Sequence, residues 1–368
     1  MNIIKNLRYH IHTIPSQEQS TLEEKISSLL SKINPTETVF RLVFFDCPAN
    51  NQEYVNNKTL IIKKVKEKFG KKMPALSLVA QPPIHDALIL EIQSFIPQKE
   101  DQITFSTIDQ TPYVTIENED ARFIFAGGFQ ADVVNNSIDE QSKEVFKQLG
   151  KLLQKEKLEI HNIIRQWNYM ELITDQDQEG NQHYQLFNNA RTAFYSKTEW
   201  DNGYPAATGI GTDLGGILVE IDAIVPKKKT VSITPIDNKL QVAAHVYSDQ
   251  VLIQANNHKS TPKFERAKSL EIEQNKLIYI SGTAAIRGEE SLTDVGLEKQ
   301  LHITMENIAE LIGDSKIKLL RVYLKHSECK QETVRLMEEY NLTIPISYLY
   351  ADVCRDELLI EIEGIAIN

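Results

Sequence analysis

Residues 216–225 read Gly-Ile-Leu-Val-Glu-Ile-Asp-Ala-Ile-Val, and residues 357–366 read Glu-Leu-Leu-Ile-Glu-Ile-Glu-Gly-Ile-Ala. A third stretch, residues 87–95, reads Ala-Leu-Ile-Leu-Glu-Ile-Gln-Ser-Phe. Each is a short, apolar, β-rich run of strand length. Each also carries aliphatic-Glu-Ile, at Glu91, Glu220 and Glu361. One such strand would mean little. The elements around it, however, recur in the same order three times, the mark of internal duplication.

The middle copy opens on the strand Arg122-Phe-Ile-Phe-Ala-Gly-Gly128. A helix is expected over 138–156, because Val145, Phe146, Leu149, Leu152 and Leu153 recur at three and four. A strand at 163–173, a helix at 184–195 and strands at 206–211 and 217–225 follow. The last copy opens on Leu277-Ile-Tyr-Ile-Ser-Gly-Thr283. It continues with a helix at 295–312, a strand at 319–325, a helix at 330–341 and strands at 346–354 and 358–367. The first copy is shorter: a helix at 20–33, strand 39–45, helix 57–69, a start at Pro74-Ala75 and the strand 87–95. It lacks much of the leading hairpin. Strands alternating with helices predict an α+β fold of tandem units, each a mixed sheet with helices on one face. The bare faces must be buried, and three units can bury them against each other around a pseudo-threefold axis. Small-molecule clefts then fall at the seams. The expected divisions are 1–110, 111–230 and 231–368, the last including a linker that begins near Lys227-Lys228-Lys229.

Composition narrows the function. The chain has 368 residues, 41% hydrophobic and 25% charged, which suits a folded globular protein. Its net charge of −11 argues against a general nucleic-acid partner, whose contacts are to phosphate. No apolar run approaches the roughly 18 residues of a membrane span, and the N-terminus shows no signal peptide, so the expectation is a cytoplasmic protein with no membrane partner. Three cysteines make no disulfide framework, and nine histidines make no zinc-type spacing. No metal is expected.

The strands and turns carry a family resemblance. Gly127-Gly128, Ser281-Gly282, Pro205-Ala206 and the repeated Glu-Ile endings are similar to RidA/YjgF-type domains. These imply a trimer-like arrangement with sites at the seams. The imine deaminases of that group place an arginine after Pro-Ala. Here the three positions read Pro74-Ala-Leu76, Pro205-Ala-Ala207 and Pro345-Ile-Ser347, with no arginine. The narrower resemblance is to the chorismatase family, over roughly residues 110–368. It rests on Arg165-Gln-Trp-Asn-Tyr169, Arg191, Pro205-Ala-Ala-Thr-Gly-Ile-Gly211, Phe264-Glu-Arg-Ala267, Ile280-Ser-Gly-Thr-Ala284 and Ala351-Asp-Val-Cys-Arg355 followed by Leu359-Ile-Glu-Ile-Glu-Gly364. That resemblance implies an enzyme that releases pyruvate from chorismate without metal or organic cofactor. The ring product is a dihydroxycyclohexadiene carboxylate or a hydroxybenzoate.

Chorismate has two carboxylates and an enol ether. Carboxylates call for arginine, whose fork holds both oxygens. Strand alternation puts Arg165, Trp167 and Tyr169 on one face, read here as facing the cleft. Arg191 is added by the resemblance. Tyr204, Thr208 and Gly209 are expected near the substrate, Gly209 through close backbone approach. Ala267 and Gly282 are expected to shape the same seam, and Cys354 to line it. Enol-ether cleavage needs a proton donor, and a buried glutamate can remain protonated near neutral pH. Glu361 and Glu363 share a strand face, and the resemblance favours Glu361 as the acid. Other readings remain: a deaminase or hydrolase of another small acid, a non-catalytic ligand-binding protein, and, more remotely, an RNA-cleaving protein. Both a monomer and a larger homo-oligomer are compatible with three fused copies.

Overall fold

The computed structural model describes residues 3–246, 253–254, 257–258, 261–292, 294–353, 355 and 357–368. After a helical turn at Ile3–Asn6, three sheets follow in chain order. The first contains β1 (Leu7–Pro15), β2 (Thr38–Phe45), β3 (Ala75–Val79) and β4 (Asp86–Phe95), in the order β1-β4-β2-β3. The second contains β5 (Gln102–Ile108), β6 (Thr111–Glu117), β7 (Ala121–Gln130), β8 (Ile163–Glu171), β9 (Ala206–Thr212) and β10 (Ile217–Pro226), in the order β5-β6-β7-β10-β8-β9. The third contains β11 (Val231–Ile236), β12 (Ala267–Ile272), β13 (Asn275–Ala284), β14 (Lys316–Leu324), β15 (Ile346–Tyr350) and β16 (Ile360–Ile367). Its order is β11-β12-β13-β16-β14-β15. In every sheet the unit's last long strand (β4, β10 or β16) lies inside, antiparallel to both neighbours. Each sheet holds one parallel pair, β2/β3, β8/β9 or β14/β15.

Two helices cover one face of each sheet. They are α1 (Leu22–Ser31) and α2 (Asn51–Phe69), α3 (Ile138–Glu156) and α4 (His183–Tyr195), and α5 (Gly296–Ile312) and α6 (Lys330–Glu338). Local sequence starts two of them firmly. Thr21 with Glu24, and Ser137 with Glu140, form reciprocal capping boxes that satisfy orphan N–H groups. Val145, Phe146 and Leu149 of α3 meet Phe187 of α4 over Ile217, Val219 and Ile221 of β10. The other two units repeat this layer with Leu88, Leu90 and Ile92, and with Ile360 and Ile362.

Because side chains alternate along a strand, the neighbouring residues point the other way. Those second faces meet in one central cluster with members from all three sheets, among them Phe40, Val43, Phe125, Trp167, Tyr279 and Ile365. Phe40 of the first sheet and Phe125 of the second lie with ring centroids 4.2 Å apart. Each such aromatic, fully removed from water, contributes about 1.5–3 kcal/mol. No single sheet could bury this face alone.

The sequence reading differs from the structure in four places. Strand β5 pairs with β6 and so lies in the second sheet, although its residues fall within the expected 1–110 division. The expected linker contains β11, which pairs with β12 along its whole length. Strands β1 and β3 were not anticipated as strands. The strand expected over 346–354 ends at Tyr350, and position 354 lies outside the described residues. Among the described residues, no helix is long and apolar enough to cross a membrane.

Candidate active site

The central faces carry charge as well as apolar bulk. Arg41, Arg165 and Arg321 are each buried and hold the same register in their sheets, opposite Gln93, Asp222 and Glu363 respectively. Each arginine reaches across a seam to an acid of another sheet. Arg41 pairs with Asp222 at 2.7 Å, Arg165 with Glu363, and Arg321 with Glu91 at 2.8 Å. The first sheet thus holds the second, the second the third, and the third the first. The cycle closes through Glu91 because Gln93 stands where the other sheets carry an acid. Removing one partner of such a buried pair typically costs about 3–5 kcal/mol.

Glu363 is the most heavily bonded of these acids. One oxygen accepts from Arg321 Nη1 at 3.1 Å and from Tyr323 Oη at 2.6 Å. The other accepts from Arg165 and from the Thr208 hydroxyl. That hydroxyl in turn accepts from Arg165 Nη2 at 2.7 Å and from the Gly282 N–H at 3.0 Å. Burial opposes charge on Glu363, but the two guanidinium groups and the hydrogen bonds outweigh it and hold its carboxyl below the usual range.

Glu361 lies two residues away on the same strand face. Its environment has the opposite effect. Burial, then the Glu363 charge, push its carboxyl up to about 8, against weaker opposition from Arg266 and Arg165. It is buried yet retains 6% of its exposure. A Cβ at Gly282 would stand 1.9 Å from Glu361 Oε1, so any larger residue there must displace that carboxyl. One strand face therefore presents two carboxyls with divided roles, one ionised and one proton-bearing at neutral pH. Such a division assigns acid and base in known enzymes.

A second group of residues borders the same seam. The 202–204 loop is pinned by Lys268, whose ammonium donates to the carbonyls of Gly203 at 2.9 Å and Tyr204 at 3.0 Å; burial lowers that amine to about 8. Tyr204 packs on Trp200, with ring centroids 5.1 Å apart, and Lys263 Nζ lies 5.7 Å over its ring. Arg191 on α4 is buried, donates to Asn188 Oδ1 at 2.6 Å and leaves its Nε without a hydrogen-bond partner. Among the described residues, neither Arg191 nor Lys263 has a carboxylate partner. Burial, and then the Arg191 charge, lower the Lys263 amine. Two neighbouring cations without an anion, in a chain of net charge −11, suit a carboxylate ligand.

The structure brings together Glu361, Gly282, Thr208 and Arg165. Arg165 does not reach for a ligand with its Nη2, which Glu363 and Thr208 occupy. Tyr169 is buried and accepts from Arg321 Nη1 at 2.6 Å, so it belongs to the ion-pair cycle. Arg191 and Tyr204 lie in the cation and aromatic group. A Cβ at Gly209 would point toward Met170 and Tyr184 on the helix side, because alternation turns that position away from Thr208, and this leaves the backbone approach expected of the glycine untouched. Ala267 packs with Ile278 and Ile280 in the helix-side cluster for the same reason. Cys354 lies outside the described residues. Arg321, Lys263 and Arg266 were missed. The signal for Arg321 was available: an arginine sits mid-strand in all three copies, at Phe40-Arg41-Leu42, Ile164-Arg165-Gln166 and Leu320-Arg321-Val322. Among the described residues, no cluster of three or more His, Cys, Asp or Glu could hold a metal ion.

The chain is thus built of three fused α+β units, and comparison with known proteins shows what it is similar to. Residues 100–223 match the family model described as chorismatase FkbO/Hyg5-like, N-terminal. A 3-hydroxybenzoate synthase of Streptomyces hygroscopicus is 29% identical over 227 residues, taking in 56% of this chain and 64% of the relative. A chorismatase of the same organism is 28% identical over 219 residues, 55% of this chain and 60% of the relative. The match therefore spans less than two thirds of these relatives' own length. A crystal structure of a chorismatase superposes over 98% of this chain and 99% of its own, with a TM-score of 0.68 at 18% identity. That likeness shows a shared fold along nearly the whole chain. The resemblance to chorismatases read from the motifs is thus supported by family model, relatives and fold alike.

Proposed function

We propose that this chain, a fusion of three units, is a chorismatase that releases pyruvate from chorismate by acid-catalysed cleavage of the enolpyruvyl ether. The observation that carries the reading is Glu361: a seam carboxyl held in its protonated form beside the ionised Glu363. Glu361 gives its proton to the terminal methylene carbon of the enol ether. The double bond becomes a methyl group, and positive charge spreads over the ether carbon and oxygen. Water adds to that carbon and returns a proton to the Glu361 carboxylate. The resulting hemiketal breaks its ether bond, its hydroxyl proton passes to the departing ring oxygen, and pyruvate leaves with a dihydroxycyclohexadiene carboxylate. Internal attack in place of water leads instead to a hydroxybenzoate. Proton donation of this kind contributes about 10²–10⁴-fold to the rate.

In this reading Arg191 and Lys263 hold a substrate carboxylate, Tyr204 supports the ring, and Thr208 and Gly282 fix the acid. Every step draws on protein groups and water, with no metal or organic cofactor. The test is purified protein with chorismate, pyruvate followed by a coupled assay and the ring product by mass spectrometry, beside Glu361→Gln. Pyruvate from the wild type and almost none from the variant supports the reading. A folded wild-type protein that binds chorismate without releasing pyruvate overturns it in favour of a binding protein.

A further inference from the structure

Glu91 lies in the first sheet, while the candidate acid and its neighbours come from the second and third. It is fully buried and shares its register position with neither Arg165 nor Thr208. Its two oxygens accept from Arg321 Nε and Nη2, both at 2.8 Å, a side-on two-bond grip. Gln93 Nε2 donates to the same carboxylate at 2.8 Å. Arg321 turns only its remaining nitrogen, Nη1, toward the site, and shares it between Tyr169 Oη at 2.6 Å and Glu363 Oε1 at 3.1 Å. Of the three arginines in the cycle, Arg321 alone forms ion pairs with two carboxylates, Glu91 and Glu363.

We propose that Glu91 is a positioning residue for the candidate active site: by engaging Arg321 from the far side, it limits how fully that guanidinium neutralises Glu363, and so preserves the negative charge that keeps the proton on Glu361. This rests on Glu361 as the proton donor. The groups facing Glu361 are Glu363 on its own strand, Tyr323 directly opposite on β14, Arg165 on β8, Thr208 on β9, Gly282 on β13 and Arg266 before β12. Those facing Glu91 are Arg321, Gln93, Tyr169, Tyr9 and the carboxyl of Glu220. Arg321 joins the two sides directly, with Nε and Nη2 on Glu91 and Nη1 on Glu363, the strand neighbour of Glu361. The first sheet, which supplies no reacting group, would then set how long the acid keeps its proton as the solution becomes alkaline.

The sign follows from charge. Glu91→Gln removes a negative charge and frees Arg321 to bind Glu363 more fully. Both changes favour ionised Glu361, so its titration midpoint and the alkaline limb of kcat move down, by less than the roughly one pH unit that a charge in direct contact produces. KM stays unchanged, because nothing that touches substrate has moved, and Glu91→Asp, which keeps the charge, restores the limb. The double variant Glu91→Gln with Arg321→Gln removes both charges together. It leaves Glu363 with one guanidinium fewer and moves the limb upward. That variant also guards against a single substitution that fails to fold, since a neutral pair strands no buried charge.

The experiment is a pH profile of kcat for these proteins, with a parallel ¹³C titration of the Glu361 carboxyl in glutamate-labelled protein, its signal assigned by Glu361→Gln. Opposite shifts in the single and double variants establish the coupling. Equal midpoints in all of them overturn it, whatever their activity. Opposite ¹³C shifts in a protein that releases no pyruvate keep the coupling and overturn the reaction proposed above.

Discussion

Glu220 and Glu361 occupy the same place in their repeats, yet their seams differ. Glu220 faces the first sheet. It is completely buried, and burial raises its carboxyl against the pull of Arg41, Arg321 and the nearby Ser77 hydroxyl. Its seam is shut by backbone: a Cβ on Gly128, whose φ is +77°, would fall 2.3 Å from the Leu76 carbonyl oxygen. Glu361 faces the second sheet and keeps a small opening. Its companion Glu363 stays charged through two arginines, whereas the corresponding Asp222 pairs with Arg41 alone. Duplication therefore supplies the carboxyl more than once. Access and an ionised neighbour decide which copy can work.

The largest expected effect is at the open seam. Glu361→Gln lowers pyruvate release by about 10²–10⁴-fold with the fold retained by circular dichroism, while Glu220→Gln leaves kcat within about twofold. Comparable losses from both would erase the distinction. Next come the two glycines. Gly282→Ala drives its methyl into Glu361 and lowers kcat by more than about tenfold, on the scale by which misplacing a catalytic group slows a reaction. Gly127→Ala, whose Cβ would stand 2.9 Å from Ser77 Oγ and 3.1 Å from Glu220 Oε1, costs about 1–3 kcal/mol in a denaturant titration and spares kcat.

Smaller again are the cation variants. Lys263→Ala raises KM for chorismate about tenfold with little change in kcat, as expected for one charge-assisted bond, and Lys263→Arg recovers most of it. An unchanged KM would remove Lys263 from the carboxylate site. The pH dependence is the mildest test. Glu361 must be protonated to act, so kcat holds at neutral pH and falls as pH rises through about 8, because the raised carboxyl then loses its proton. A plateau continuing well above that value would contradict a carboxyl donor.

The architecture was readable because helical and strand periodicities alternate three times, and because Glu91, Glu220 and Glu361 marked the same strand in each copy. Glu361 is singled out by the family resemblance instead, because a position that recurs in every copy does not by itself mark a proton donor. The ion-pair cycle could not be read from either, since its bonds join residues such as Arg321 and Glu91 that lie 230 positions apart. Alternation placed Arg165 on the inner face correctly but said nothing of what it would meet there. Ala267 lies on the helix side because nearness in a motif is not nearness in space, and a one-residue step along a strand reverses direction. Lys263 sits in an irregular segment before β12, where no period announces a role.

Gln93 has an implication for how such a protein can change over generations. Were the three units separate copies encoded once, a single substitution would appear at Gln93, Asp222 and Glu363 together, and all seams would gain or lose an acid at the same moment. In one continuous chain, each position drifts alone. The amide at 93, the aspartate locked at 222 and the doubly held glutamate at 363 are three independent fates of one ancestral site. Joining the copies end to end thus turns symmetry from a constraint into a starting point, and leaves each seam free to carry its own set of acids.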